Sequence, residues 1–132
     1  MKRQRLSLAP GSFAVVRLGA SEPVPGWAAA ATGFFSVTRT GEELSIVCPQ
    51  DAVPGDAHAE RGWVLLKLHG PIPFDETGVL SSLASPLASS GVDIFAISTF
   101  DTDYLLVKAE QLPAALEALA AAGHEVEAGA RP

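Results

Sequence analysis

Two polar segments of this 132-residue chain carry the residue types best suited to holding a small charged molecule. The first, Phe74-Asp75-Glu76-Thr77-Gly78, stands directly before a helical pattern. The second, Ser98-Thr99-Phe100-Asp101-Thr102-Asp103, lies between two strand-like runs. Amides at the start of a helix receive a carboxylate readily, and a glycine at position 78 lets a ligand or another backbone come close. Asp101 or Asp103 can hold an ammonium or guanidinium group. That set of partners suits an amino acid. The same residues also have a purely structural reading, with Asp75 or Thr77 as an N-cap and Asp101, Thr102 and Asp103 as turn formers.

Other chemistries find less to work with. The histidines are His58, His69 and His124, and the chain has no Gly-x-Ser-x-Gly, no His-Glu-x-x-His and no P-loop. His69 with Asp75 is the one pairing of a base with an orienting group that the spacing offers, and no nucleophile accompanies it. No catalytic residue is therefore assigned, and an enzyme is not expected. A single cysteine, Cys48, excludes an internal disulfide framework, an iron–sulfur cluster and a cysteine-based zinc site. It reads as a small buried hydrophobe in a strand. No metal or other cofactor is implied.

Charge narrows the partners. Nine Lys and Arg against fifteen Asp and Glu give a formal charge of −6, opposite in sign to a phosphate-binding surface, so nucleic acid is not expected. No apolar run approaches the ~18 residues of a membrane span. The basic start at Lys2, Arg3 and Arg5 is followed by Ser7, Pro10, Gly11 and Ser12 rather than by an apolar segment. A membrane or secretory destination is therefore not expected, and the cytoplasm is.

The elements that must position the two polar segments come in two copies. Phe34–Thr40 and Glu43–Cys48, joined at Gly41, form one strand pair; Ile94–Phe100 and Asp103–Lys108, joined at Asp101-Thr102, form another. At an offset of 60 residues Phe35 falls on Phe95, Val37 on Ile97, Leu44 on Tyr104 and Ile46 on Leu106. Upstream strands at Val15–Leu18 and Leu65–Leu68 match at an offset of 50, so the first copy is shorter by the difference.

In the second copy Val79, Leu80, Leu83, Leu87 and Ala88 mark a helix by their three- and four-residue steps. Gly91 is placed to end it. Pro86 inside that helix forfeits the bond to the Ser82 carbonyl, at a cost of ~3 kcal/mol, which predicts a kink. Leu112, Leu116 and Leu119 mark a second helix ending at Gly123, and His124–Glu127 reads as a closing strand.

The second copy is thus β-α-β-β-α-β, the ferredoxin-like unit. The first copy has room for about two helical turns around Trp27–Ala31 and an irregular second crossover from Pro49 to Gly62. It lacks a fourth strand in sequence order, and Arg5–Ala9 is the candidate to fill that edge. The fold expected is α+β, with ferredoxin-like units in tandem, antiparallel sheets and helices on one face. Residues 1–62 form the abbreviated unit and residues 63–132 the complete one. Leu80, Leu83, Leu87, Leu116 and Leu119 are expected in the core. Phe34, Phe35 and Trp27, with little helix to cover them, predict a symmetric homodimer.

The run Asp75-Glu76-Thr77-Gly78-Val79-Leu80, followed by Leu83, Leu87, Gly91, Val92, Asp93 and Ile94, resembles the ACT-domain pattern Asp-x-Pro-Gly-x-Leu, helix, Gly-(Ile/Val)-Asn-Ile. The stretch Ile94–Val107, with its Ser-Thr-Phe-Asp-Thr-Asp-Tyr core, is similar to small bacterial tandem-ACT proteins and to the ACT domains of metazoan cytosolic arginine sensors. Thr77 stands where the pattern has proline and Asp93 where it often has asparagine. The resemblance implies a non-catalytic module that senses a small molecule, usually an amino acid, between paired ACT units. It places Glu76, Thr77, Gly78, Thr99, Phe100 and Asp103 at the ligand, and the charge argument above adds Asp101. The partners expected are an amino acid, a second copy of the chain and an unidentified protein. A pure oligomerisation or protein-interaction module with no small ligand is the competing expectation.

Overall fold

The computed structural model describes residues 3–73 and 76–128. Phe74 and Asp75, named above in the loop before the helix, lie outside the described residues. The chain divides into two compact units, Gly11–Trp63 and a second made of Met1–Pro10 with Val64–Pro132.

In the unit Gly11–Trp63, β2 (Phe13–Leu18) leads through α1 (Gly26–Ala29) to the hairpin β3 (Ser36–Arg39) and β4 (Leu44–Pro49). The helix is four residues long, about one turn, so it is shorter than the expected two. The second crossover, expected to be irregular from Pro49 to Gly62, is so only in part: it holds one turn of 3-10 helix at Gln50–Ala52, and its last four residues, Ala59 to Gly62, are strand because they pair with β2. β4 pairs antiparallel with both β2 and β3. The free side of β2 is taken by the first half of β5 (Ala59–Leu68), with Phe13 opposite Trp63 and Val16 opposite Ala59.

Arg5–Ala9 therefore does not fill that edge. Its strand, β1 (Arg5–Leu8), lies in the other unit, antiparallel to the second half of β5 and parallel to β8 (Glu125–Ala128). Ala14, Val16, Ala28, Leu44, Ile46 and Cys48 form the first core. Trp27 packs against it, and Phe34 meets the ring of Phe13 edge to face with centroids 6.3 Å apart. The aromatics expected to be stranded are thus largely accommodated, and Phe35 alone of the three stays 38% exposed.

The other unit carries the β-α-β-β-α-β pattern. The second half of β5 is followed by α2 (Val79–Ser89), β6 (Ile94–Ser98), β7 (Asp103–Lys108), α3 (Leu112–Ala121) and β8. Its strands run in the order β6-β7-β5-β1-β8. The simple unit would set the closing strand beside the first; here β1 is inserted between them. Both of its edges are held: toward β5 Leu6 pairs with Leu68 and His69 N–H donates to the Arg5 carbonyl, and toward β8 Glu125 N–H donates to the Gln4 carbonyl. The mixed α+β architecture is the one expected, except that β1 and β8 make a parallel pair.

One core joins sheet and helices in this unit. Leu6, Leu66, Leu68, Leu105 and Val107 from the sheet meet Val79, Leu83, Leu87, Ala115 and Leu119 from α2 and α3. Leu80 and Leu116 are only half-buried rather than fully in the core. Leu80 sits on the flank of α2 that faces a cleft described below.

Both helices end in the same way. The Val92 N–H returns to the Leu87 carbonyl, and the His124 N–H returns to the Leu119 carbonyl. The intervening Gly91 and Gly123 sit at φ +74° and +92°. This is the paired-bond ending that needs a left-handed residue. In α3 it delivers His124 into the interior.

The kink expected at Pro86 does not break α2, which continues through it to Ser89. Proline leaves the Ser82 carbonyl without its helical donor. The imidazole Nε2 of His124 lies 2.9 Å from that carbonyl and replaces the donor. The other ring nitrogen, Nδ1, accepts the Gln4 backbone N–H at 3.0 Å. Since a carbonyl only accepts and an amide only donates, the ring must be the neutral Nε2–H tautomer. His124 is 6% exposed, so both bonds are made away from water.

Candidate functional site

Between the loop that precedes α2 and the β6–β7 turn lies a cleft of about 380 Å³. One wall is Glu76, Gly78, Val79, Leu80 and Ser81; the other is Ser98, Thr99, Phe100, Thr102 and Asp103, with Ile72 and Pro73 at one end. All of these residues belong to the unit containing β6 and β7. Five of the seven residues singled out from sequence, Glu76, Gly78, Thr99, Phe100 and Asp103, share this cleft. Thr77 does not. It lines a second pocket of about 260 Å³ on the other side of the loop, with Gln4 and Ser82.

Asp101 is exposed and lines neither pocket. Its backbone does the positioning: the carbonyl accepts the Ile72 N–H at 2.6 Å, tying the turn to the loop after β5. Thr102 adds a second tie from within. It is 5% exposed and donates its hydroxyl to the Leu68 carbonyl at 2.9 Å. The turn closes on itself through Thr99 N–H to the Thr102 carbonyl, 2.8 Å, with the Thr99 hydroxyl reaching the same carbonyl. A residue read as a turn former is thus also a buried strut.

Among the described glycines, Gly70 is the one that another backbone segment approaches most closely. A Cβ there would lie 3.0 Å from the Asp101 carbonyl oxygen and 3.0 Å from the Thr102 Cβ. Sequence reading put that role at Gly78, where an added Cβ has open space and meets only Ser81 Oγ at 4.0 Å. What Gly78 supplies is its φ of +78°, the left-handed turn into α2. Gly70 follows a strand end and precedes a proline, a turn signal that marks the bend but not its contacts.

The cleft is polar at the turn and partly apolar around it. Asp103 accepts the Ser98 hydroxyl through Oδ1 at 2.5 Å and, among the described residues, makes no bond through Oδ2. Phe100 stands 79% exposed on the rim. The far wall is the start of α2, where the N-cap position is Gly78, a residue with no side chain to cap with. The first bond within α2 runs from Ser82 N–H to the Gly78 carbonyl, so the amides of Val79, Leu80 and Ser81 precede it.

The partner considered for His69, Asp75, lies outside the described residues. The His69 Nε2 meets the Ser7 hydroxyl at 2.5 Å and Glu127 at 3.9 Å. Both contacts use one nitrogen, so among the described residues no carboxylate orients the ring from behind, as an acid–base pair requires.

Cys48 is buried in β4. Loss of water around the sulfur, and then the charge of Asp51, push its thiol above the ordinary value. A strand thiol kept protonated in this way is unreactive.

The ACT-domain family model matches residues 58–121, and a model for an N-terminal domain matches residues 11–56. A crystal structure of a protein from Agobacterium tumefaciens is 44% identical, covering 99% of this chain and 97% of that one, with a TM-score of 0.93. The human cytosolic arginine sensor for mTORC1 subunit 1 is 34% identical over 88 residues, which is 66% of this chain. The chain spans 26% of that sensor's length and 57% of another related human protein. The regulatory subunit of aspartate kinase from Thermus flavus shares the fold, with a TM-score of 0.63 at 16% identity. The family match covers the very loop, helix and hairpin that build the cleft, and a relative of nearly equal length follows the chain from end to end. Residues 58–121 of the chain belong to the ACT-domain family.

Proposed function

We propose that this chain is a non-catalytic regulatory module that binds an amino acid in the cleft between residues 76–78 and residues 99–103. One observation carries the reading. The loop before α2 and the β6–β7 turn, separated by some twenty residues of sequence, share a single cleft with a carboxylate on one wall and an uncapped helix start on the other. Asp103, with Oδ2 in reserve, meets a cationic group. The backbone near Gly78 takes the ligand's carboxylate. The similarity to an arginine sensor adds support for this ligand class.

The reading includes a symmetric homodimer. Phe35 and Val37 of one unit, and Phe100 on the cleft rim, are apolar groups that water still reaches. Sedimentation at tens of micromolar, a concentration above typical nM to µM affinities, should give a dimer; a monomer there removes this part of the proposal.

Thermal shift and calorimetry against the twenty amino acids test the ligand. A ligand that binds only the folded chain adds RT ln(1 + [L]/Kd) of stability, about 2.7 kcal/mol at a hundredfold excess over Kd. Saturable stabilisation by one amino acid is expected. Asp103→Asn should weaken that ligand by about 1.5–3 kcal/mol without unfolding the hairpin, because an asparagine oxygen still accepts the Ser98 hydroxyl. A flat response to all twenty, with the dimer intact, would instead leave an interaction module.

A further inference from the structure

Of the three histidines only His124 is buried, and the amino-acid cleft makes no use of it. Its ring is wedged between two backbone groups of opposite kind. Nε2 donates to the Ser82 carbonyl in the first turn of α2, and Nδ1 accepts the N–H of Gln4, the residue before β1. An imidazolium carries a proton on both nitrogens and accepts nothing. A proton added at Nδ1 therefore sets two N–H donors against each other across 3.0 Å, where water does not reach. The conflict falls on one side only. Nε2 holds its proton in either state, so the bond to Ser82 persists while the bond to Gln4 is lost.

The Gln4 bond matters because of where it sits. Gln4 opens the inserted strand, and its carbonyl accepts the Glu125 N–H at the start of β8. Beyond it Leu6 is fully buried, paired with Leu68 of β5 on one side and Val126 of β8 on the other.

No neighbouring charge offsets a proton on the ring. α2 has no ionisable side chain. Glu117 of α3 is exposed, Glu76 before α2 is half-buried, and Arg5 of β1 pairs at the surface with Glu125 and Glu127 of β8. Among the described residues none of these carboxylates bonds to the ring.

We propose that His124 is an acid-sensitive latch for the inserted strand: the neutral ring fastens β1, and protonation at Nδ1 loosens β1 from β5 and β8 while leaving α2 in place. Proton counting fixes the direction. A ring released with β1 takes up a proton as an ordinary imidazole does, at about pH 6.5, whereas the latched ring takes none. Local opening of β1 is therefore suppressed above that pH and should grow about tenfold between pH 7.5 and 5.5. His69, which touches Ser7 of β1, acts in the opposite sense, because a charged ring is drawn to Glu127 3.9 Å away.

Amide hydrogen exchange of the full chain by NMR over that pH range, each rate divided by that of a free amide at the same pH, tests the latch. The Leu6, Ser7 and Leu8 amides should show the tenfold rise and open more often than Leu105–Val107 in β7. His124→Asn, whose Oδ1 accepts the Gln4 N–H without titrating, should flatten the rise, and His69→Gln should keep it. Should His124→Asn fail to fold, the wild-type ring decides. Long-range ¹H–¹⁵N spectra should show a proton on Nε2 alone at pH 5.5 in the closed chain. A ring doubly protonated there while β1 stays protected overturns the proposal. So does a flat wild-type profile, opening of β1 only together with β7, or a rise that survives in His124→Asn.

Discussion

Replacing His124 by leucine removes a buried imidazole that serves two backbone groups at once. The Ser82 carbonyl loses the donor that stands in for the missing proline amide, and the Gln4 N–H loses its acceptor. Each is a buried group left without a partner, at about 1–3 kcal/mol apiece. The variant should therefore lose about 2–6 kcal/mol, since leucine fills much of the volume but supplies no hydrogen bond. Pro86→Ala restores an amide that can bond the Ser82 carbonyl, as in any helix. In that background His124→Leu orphans only the Gln4 N–H, and its cost should fall by one bond.

The double-mutant cycle thus predicts a coupling of about 1–3 kcal/mol between positions 86 and 124, although they are 38 residues apart in sequence. Urea denaturation followed by far-UV circular dichroism measures it, with a constant slope as the check that the same surface is exposed. Additivity of the two substitutions to within about 0.5 kcal/mol would refute the claim that His124 acts as the surrogate donor.

Three other outcomes follow from the packing. Leu83→Ala, at a fully buried position between sheet and helices, should cost about 2–5 kcal/mol in urea unfolding. Gly70→Ala should lower stability by about 1–3 kcal/mol through overpacking, because its new Cβ meets backbone and a buried threonine at 3.0 Å; Gly78→Asn, where space is open, should be milder because asparagine tolerates a positive φ. The raised Cys48 thiol makes stability complete below the unfolded thiol's ordinary value of 9.0 and has it fall as pH climbs from there toward the higher folded value. The urea midpoint of Cys48→Val should therefore drop less than that of the wild type between about pH 8 and 10.

What the sequence disclosed was local. The three- and four-residue steps of Leu83 and Leu87, the alternation in Ile94–Ser98 and Asp103–Lys108, and the stop signals at Gly91 and Gly123 are each set by residues a few positions apart. Partner choice at longer range was not legible. Arg5-Leu6-Ser7-Leu8 alternates as a strand should, but nothing in four residues says that its neighbours are β5 and β8. Ala59-Glu60-Arg61-Gly62 reads as loop because charge and glycine dominate it; pairing with β2 makes it a strand. The candidate residues divide along the same line. Thr99, Phe100 and Asp103 arrive together because one turn holds them, whereas Gln4 reaches the start of α2 only through a strand insertion that no short-range pattern encodes.

Pro86 shows how a local rule is overruled without being wrong. Proline does remove a helical bond, and the Ser82 carbonyl would be exposed to the cost of that loss if the helix stood alone. The glycine-ended turn after α3 places His124 where its Nε2–H reaches that carbonyl, and the ring's other nitrogen fastens the residue before β1. The inserted strand, the interrupted helix and the closing turn are therefore held by one side chain. Because α2 begins at the wall shared by both pockets, a disturbance of β1 has a physical route to the larger cleft: it acts on His124, then on the Ser82 carbonyl in the first turn of α2, and so on the amides that start the helix.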